Sequence, residues 1–249
     1  MYTEIVQGIH AANDYERRLF GATVGPFNSH LKQWQSSSRP DQVNNNFFEP
    51  TSDITATDIQ AAIDAQKRRG LNYVMIRMNR PMNPLPKAGF DFEEEITYVM
   101  AMQNDQSDRW QINRGIEIRD IQTSDIRADL LDVASVPEPY REIAYRNMRM
   151  VLDVAKTHPE YHWLCAYQDG KRVGNVYALS HNGYIEIDDL WVDEDYRHRR
   201  IATTMMKYIA DHIDGIMYLH ADASATPKDM YTRMGFETVE TVYEYYMEW

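Results

Sequence analysis

One cysteine, Cys165, stands in a chain of 249 residues. A single thiol excludes an internal disulfide framework and suits a reducing compartment. Long apolar runs are missing too, since no stretch approaches the roughly 18 residues needed to span a bilayer. The opening MYTEIVQGIHAANDYERR lacks the basic and apolar blocks of a signal peptide. These absences predict a cytoplasmic protein with no membrane partner. Basic side chains are in the minority, 26 Lys and Arg against 38 Asp and Glu, for a net charge of −12. That argues against a nucleic-acid partner and is compatible with a cationic small substrate. No P-loop, nucleophile elbow or dinucleotide glycine fingerprint is present. No metal site is expected either: His158 and His162 have ligand-like spacing, but Pro159 lies between them and no Cys or acid pattern completes a set. They read as a surface or turn pair.

What is present is a core. Apolar residues make up 43% of the chain, enough for one large domain or two smaller ones. Residues 1–50 carry little pattern: a short helix over Tyr15–Phe20, then loops at Gly21–Pro26 and Gln35–Asn46. Thr55 or Thr57 is placed to cap a helix running to Arg69, with Gly70 behind it. Leu71–Met78 and Phe90–Met102 read as strands, separated by Pro81, Pro84 and Pro86. After the polar stretch 103–108 comes a strand over Arg114–Ile121, a helix starting at Thr123-Ser124-Asp125, and, after Pro137-Glu138-Pro139, a longer helix through Ala155. Tyr161–Gln168 and Arg172–Leu179 form a hairpin about Asp169-Gly170. Cys165 falls in the apolar WLCAY and reads as core. The chain closes with a strand over Gly215–Ala221, a short helix over Pro227–Met234 and strand material to Trp249. The aromatic ending YEYYMEW suits a strand face at a subunit contact, so a homodimer is the oligomer in view.

The most informative stretch is Tyr184–Asp214. Residues 184–192 alternate loosely about Ile185, Ile187, Leu190 and Val192, as a strand does. From Ile201 the period lengthens, placing Ile201, Met205, Tyr208, Ile209 and His212 on one helical stripe. Between them lie Arg197, His198, Arg199, Arg200, Ile201 and Ala202. Cations at a helix start, with its exposed N–H groups and positive dipole end, make an anion site suited to phosphate. The plainer reading is a basic helix start balancing the acids before it.

At these residues the chain resembles the GNAT acyl-CoA N-acyltransferases, whose hallmark is Q/R-x-x-G-x-G/A between a strand and a helix. Arg197, Ile201 and Ala202 fit, as does the lead-in Leu190-x-Val192. Arg200 departs from the pattern, because the family's glycine belongs there. An arginine held at positive φ costs roughly 1–3 kcal/mol of strain, while its guanidinium can bond phosphate. The element order β-α-α-β-β-β-α-β-α-β over about residues 110–249 is also that of the family. An internal likeness accompanies it. Gly70 precedes Gly89-Phe90 by 19 residues and Gly215 precedes Gly235-Phe236 by 20, so the first half resembles a shortened copy of the second. It lacks the arginine–glycine motif, and Leu85 stands where Tyr231 stands. The expectation is an α+β fold, a mixed and mostly antiparallel twisted sheet flanked by helices, in two related halves. Residues 1–108 would be the degenerate half and 109–249 the acetyl-CoA-binding half.

The resemblance also implies roles. Acetyl transfer to an amine needs a neutral nucleophile, a donor for the tetrahedral oxyanion and a proton for the departing thiolate. The backbones of Leu190, Trp191 and Val192 would hold the acetyl carbonyl, and residues 197–202 the diphosphate of acetyl-CoA, which serves as cosubstrate. Tyr231 would protonate the thiolate; its other reading is an ordinary packing tyrosine. Glu186 is the candidate base and Asp188, at i+2 on the same strand face, the candidate substrate contact, with Asp189 on the opposite face. These acids could equally be solvated. The function implied is direct transfer of acetyl, in a ternary complex, to a primary amine of a small molecule or peptide. The alternative is an inactive acyl-CoA-binding sensor or scaffold, which Arg200 favours. An aminoacyl transferase on the same double fold also stays open.

Overall fold

The computed structural model describes residues 2–40, 42–82, 89–132, 136–138 and 140–249. Among them the chain forms two compact units that do not follow the boundary expected at 108/109. One comprises Met1–Met100, His220–Arg233 and Glu237–Trp249; the other comprises Ala101–Leu219 and Met234–Phe236.

The first unit begins with a helix longer than the sequence suggests, α1 (Tyr2–Leu19). Gly21–Pro26, expected as loop, is mostly strand: β1 (Thr23–Pro26) pairs antiparallel with β2 (Leu31–Gln35). A short β3 (Phe48–Pro50) follows. These strands are too brief for alternation to register in the sequence, and their partners decide them. The helix predicted after Thr55 is α2 (Ala56–Arg68), capped by Thr55. β4 (Tyr73–Met78) and β5 (Glu93–Gln103) match the two expected strands; Leu85 lies outside the described residues. The last strand, β11 (Glu237–Glu248), pairs antiparallel with β4, Tyr243 against Met78 through Glu248 against Tyr73. Strand order in this unit is β1-β2-β3-β4-β11-β5, with β3 and β4 parallel. One sheet face packs Leu31, Phe48, Val74, Ile76 and Tyr245 against Ile59 and Ile63 of α2. The other packs Trp34, Phe47 and Met75, with Arg17 of α1 laid over both aromatic rings.

In the second unit, β6 (Glu117–Asp120) leads to α3 (Arg127–Leu131), which starts two residues after the expected Thr123-Ser124-Asp125 signal, and to α4 (Arg141–Thr157). β7 (Tyr161–Gln168), β8 (Lys171–His181) and β9 (Tyr184–Val192) form an antiparallel meander. α5 (Ile201–His212) then crosses over to β10 (Ile216–Asp222), parallel to β9. The order β10-β9-β8-β7-β6 is the mixed, mostly antiparallel sheet expected. Ile201, Met205 and Ile209 of α5 are buried, but His212 is exposed and Tyr208 only half-buried. Those two close the predicted stripe by stacking on each other at 3.9 Å instead of entering the core. Cys165 is fully buried, and burial pushes its thiol up to about 11. The helix α6 (Pro227–Met234) belongs with the first unit up to Arg233. All four glycines of the internal likeness, Gly70, Gly89, Gly215 and Gly235, lie at positive φ.

No described helix is long and apolar enough to cross a membrane. His158 ties back to the Val154 carbonyl at 3.0 Å, and His162 meets Asp120 at 2.7 Å. They do not share a ligand set.

Candidate active site

The second unit's β9 changes character halfway along. Its pairing with β10 runs from Tyr184 against Ile216 to Ile187 against Leu219. Against β8 the register slips: Tyr177 faces Asp188, whereas Asn175 faces Trp191. One extra residue is therefore inserted in β9, and Asp189 takes it up at φ 50. Such a bulge bends a strand and re-aims the groups beyond it, here Leu190, Trp191 and Val192. Small side chains on β8 allow α5 to sit close to this point. A Cβ on Gly174 would meet the Trp191 carbonyl oxygen at 2.8 Å and Met205 Cε at 3.1 Å.

Beyond β9 the chain turns through Arg197–Arg200 into α5. Arg197, His198, Arg199 and Arg200 are all exposed. Arg200 is the N-cap residue at φ 63, ψ 20, the left-handed conformation that the family's glycine would take, and His198 lies at φ 62. No side chain caps α5, and no acid stands in its first turn. Its Arg199 and Arg200 carbonyls are occupied, by Asn113 Nδ2 at 3.0 Å and by the Thr204 hydroxyl at 2.8 Å. The turn is thus held from its acceptor side while the positive helix end carries no internal anion.

The α2 helix of the first unit makes the opposite arrangement. Thr55 Oγ1 accepts from the Asp58 N–H, and Asp58 Oδ2 accepts from the Thr55 N–H at 2.8 Å, a complete capping box. Asn28 and His30 also bond the Asp58 carboxylate, each at 2.9 Å. Burial alone would raise that carboxyl, but these bonds hold it below its usual range. A carboxylate already fills the place where α5 has none.

The acids of β9 separate by depth. Glu186 is buried, and the Tyr218 hydroxyl donates to its Oε2 at 3.2 Å. Asp188 is exposed; its Oδ2 accepts from the Tyr177 hydroxyl at 3.0 Å and its Oδ1 from the Asp189 N–H at 2.7 Å. Cross-strand pairing sets Glu186 opposite Leu179 and Asp188 opposite Tyr177, so the two acids share a sheet face as expected. Asp189 does not simply point the other way. At the bulge it meets β8, where Asn175 Nδ2 donates to its carbonyl at 3.0 Å and to its Oδ2 at 3.3 Å. Asp189 as a residue is exposed, yet the protein packed around its carboxyl and then the Asp188 carboxylate push its pKa up to about 6, against the pull of Asn175.

The site residues expected from the sequence therefore divide. Glu186, Asp188, Leu190, Trp191, Val192 and residues 197–202 all lie in the second unit, along one strand and the turn after it. Tyr231 is half-buried on α6 within the first unit. Asp189, which the structure sets at the bulge, is not among the site residues that the sequence points to. The signal for it was present: apolar residues occupy odd positions at Ile185 and Ile187 but even ones at Leu190 and Val192, and a strand changes parity only through an extra residue.

Residues 159–238 match the family model described as an acetyltransferase (GNAT) domain. Among solved structures, the chain is similar to a functionally unknown conserved protein from Staphylococcus epidermidis, with a TM-score of 0.77 and 18% identity over 91% of this chain and 94% of that one. A GCN5-related N-acetyltransferase from Kribbella flavida aligns with a TM-score of 0.62 and 10% identity over 96% and 94%. A tandem GNAT protein from the clavulanic acid biosynthesis pathway aligns with a TM-score of 0.57 and 12% identity over 88% and 78%. At these identities the likeness is one of fold, and the tandem protein fits two related halves. Compared with curated proteins by sequence, the chain finds no match.

Proposed function

We propose, on the match of residues 159–238 to the GNAT acetyltransferase domain, that this protein transfers acetyl from acetyl-CoA to a primary amine. The acceptor is a small molecule or peptide, and the transfer is direct, within a ternary complex, in the cytoplasm. The observation that carries this is the uncapped N-terminus of α5, with Arg200 held at φ 63 in the turn that follows a bulged strand. The motif's backbone shape is kept although its glycine is not, which supports binding of an acyl-CoA diphosphate; the alternative is a sensor that keeps this binding and has lost turnover.

In this proposal the N–H groups of residues 197–202 bond the diphosphate of the cosubstrate, helped by the Arg197 and Arg200 side chains. The backbone of Leu190, Trp191 and Val192 holds the acetyl carbonyl and then the oxyanion. The acceptor ammonium gives its proton to an acid of β9. Asp189 suits that role better than Glu186, because the residue is exposed and its carboxyl is pushed up to about 6, while Glu186 is buried with the Tyr218 hydroxyl on its Oε2. The neutral amine attacks the carbonyl carbon, the C–S bond breaks, Tyr231 gives its hydroxyl proton to the departing thiolate, and the second proton of the attacking nitrogen leaves as the amide forms and restores the tyrosine through solvent. The first half, 1–108 in the sequence reading, contributes no second CoA site, because the capping box of α2 already satisfies the helix end.

The test is thiol release from acetyl-CoA with a panel of amines, beside calorimetry of acetyl-CoA. Saturable binding with amine-dependent release is expected. Tight binding with no release from any amine would support the sensor, and no binding would remove both.

A further inference from the structure

We propose that Asp188 is a positioning residue that fixes the bulge of β9, and not a charge that recognises the acceptor amine. This rests on the acyltransferase reading only for the purpose the bulge serves. The Ile216 N–H donates to the Gly183 carbonyl at 2.9 Å, so the ladder between β9 and β10 is carried by the odd residues of β9. Asp189 is the next odd residue after Ile187, where the pairing with β10 ends. Its N–H is the first of that row left without a strand partner, and a backbone donor stranded in this way seeks an acceptor. Asp188 Oδ1 is that acceptor, at 2.7 Å, a charge-assisted bond of the short kind.

The same carboxylate is anchored at its other end. Tyr177, directly across on β8, donates its hydroxyl to Oδ2 at 3.0 Å. Tyr177 is itself held by ring stacking against Tyr161 at 5.3 Å and Trp163 at 5.7 Å, all three buried. A buried aromatic row therefore supports a hydroxyl, the hydroxyl orients a carboxylate, and the carboxylate takes the amide of the one residue of β9 at positive φ. Asn175 holds the carbonyl of that residue from the β8 side. Asp189 is fixed at both ends of its backbone, with its N–H on Asp188 and its C=O on Asn175. A left-handed conformation at a non-glycine residue persists when its surroundings over-determine it, and Leu190–Val192 are aimed by it.

Full-length Asp188→Asn and Asp188→Ala proteins distinguish the two roles. Asparagine keeps an oxygen for the Asp189 N–H and loses the charge; alanine loses both. Two readouts are taken on the parent and on each variant: hydrogen exchange of the Asp189 amide by NMR, and amine-dependent thiol release. Positioning predicts that Asp188→Ala speeds exchange of that amide by about tenfold or more and lowers kcat by a similar factor with amine KM little changed. Asp188→Asn should restore most of both. Unchanged exchange in Asp188→Ala would overturn the proposal. So would an Asp188→Asn protein that keeps the protected amide but loses amine affinity as severely as Asp188→Ala, the mark of charge recognition. If the parent releases no thiol with any amine, the acyltransferase reading fails, while exchange at Asp189 still decides the positioning role.

Discussion

Gly174 lies directly against the Trp191 carbonyl: a Cβ at that glycine would come within 2.8 Å of the oxygen and within 3.1 and 3.4 Å of Met205 and Ile201 on α5. The helix whose N-terminus is the proposed diphosphate site and the strand that bears the bulge come close together at this glycine. Backbone cannot yield as a flexible side chain can, so Gly174→Ala should cost about 1–3 kcal/mol by overpacking. It should also weaken acetyl-CoA binding, since either Trp191 or the start of α5 must move. Thermal melting and calorimetry check both effects, and a variant with parental melting and affinity would show that the contact relaxes freely.

Arg200→Gly tests the strained cap. Relief of the left-handed conformation gains about 1–2 kcal/mol, and the greater freedom of glycine in the unfolded chain takes back about 0.5–1. The net expectation is a small rise in Tm. Acetyl-CoA affinity should change by no more than about tenfold, roughly 1.4 kcal/mol, because backbone groups carry most of the binding. A loss of binding beyond that would show that the guanidinium, not the backbone, holds the diphosphate.

Tyr231→Phe keeps the ring and deletes the hydroxyl. If Tyr231 protonates the thiolate, kcat should fall by about 10²–10⁴-fold with acetyl-CoA affinity within a few-fold of the parent. A variant that melts normally and turns over at the parental rate would assign the proton to water.

Asp189→Asn should stabilise the protein in a pH-dependent way. A carboxyl raised to about 6 in the fold, from 3.8, resists ionisation there. Both states hold the proton below about pH 3.8, so that penalty is absent; it grows as pH rises through about 6 and is constant above. The Tm advantage of the variant should therefore increase between about pH 4 and 6 and then level off. Asparagine also tolerates positive φ well, which adds an offset independent of pH. A flat difference in Tm across this range would show that Asp189 is not raised.

Asp58→Ala removes the capping box of α2 together with the His30 and Asn28 contacts. Loss of the cap should cost about 0.5–2 kcal/mol near neutral pH. Because the Asp58 carboxyl is held low in the fold, its contribution is present above the unfolded value and fades as pH falls through the folded one. Chemical denaturation at pH 7 and pH 3 should therefore show the deficit at the higher pH and less of it at the lower.

Local signals determined most of the second unit. The Asp169-Gly170 and Asn182-Gly183 turns, both at positive φ, punctuate strands whose alternation is plain, and the strand over 184–192 and the helix from Ile201 fall where the sequence puts them. The motif's departure at Arg200 was also legible, down to the backbone conformation it requires, because one position in such a turn demands positive φ whatever residue fills it. The cap of α2 was equally local: of Thr55 and Thr57 it is Thr55 that forms it, within the four residues from Thr55 to Asp58.

Tertiary structure decided what depends on partners distant in the chain. β1, β2 and β3 are only three to five residues long, too short for a period, and they exist because each finds a neighbour. β11 follows the last motif residues in sequence but pairs with β4, so a boundary drawn at 108/109 does not describe the compact units. The depth of Glu186 beneath Tyr218, the carboxyl of Asp189 raised by its surroundings, and the two internal bonds of Asp188 follow from cross-strand register. Sequence can say that three acids lie on one strand. Which is buried, which has its carboxyl raised and which holds the backbone is set by the residues that the fold brings opposite each of them.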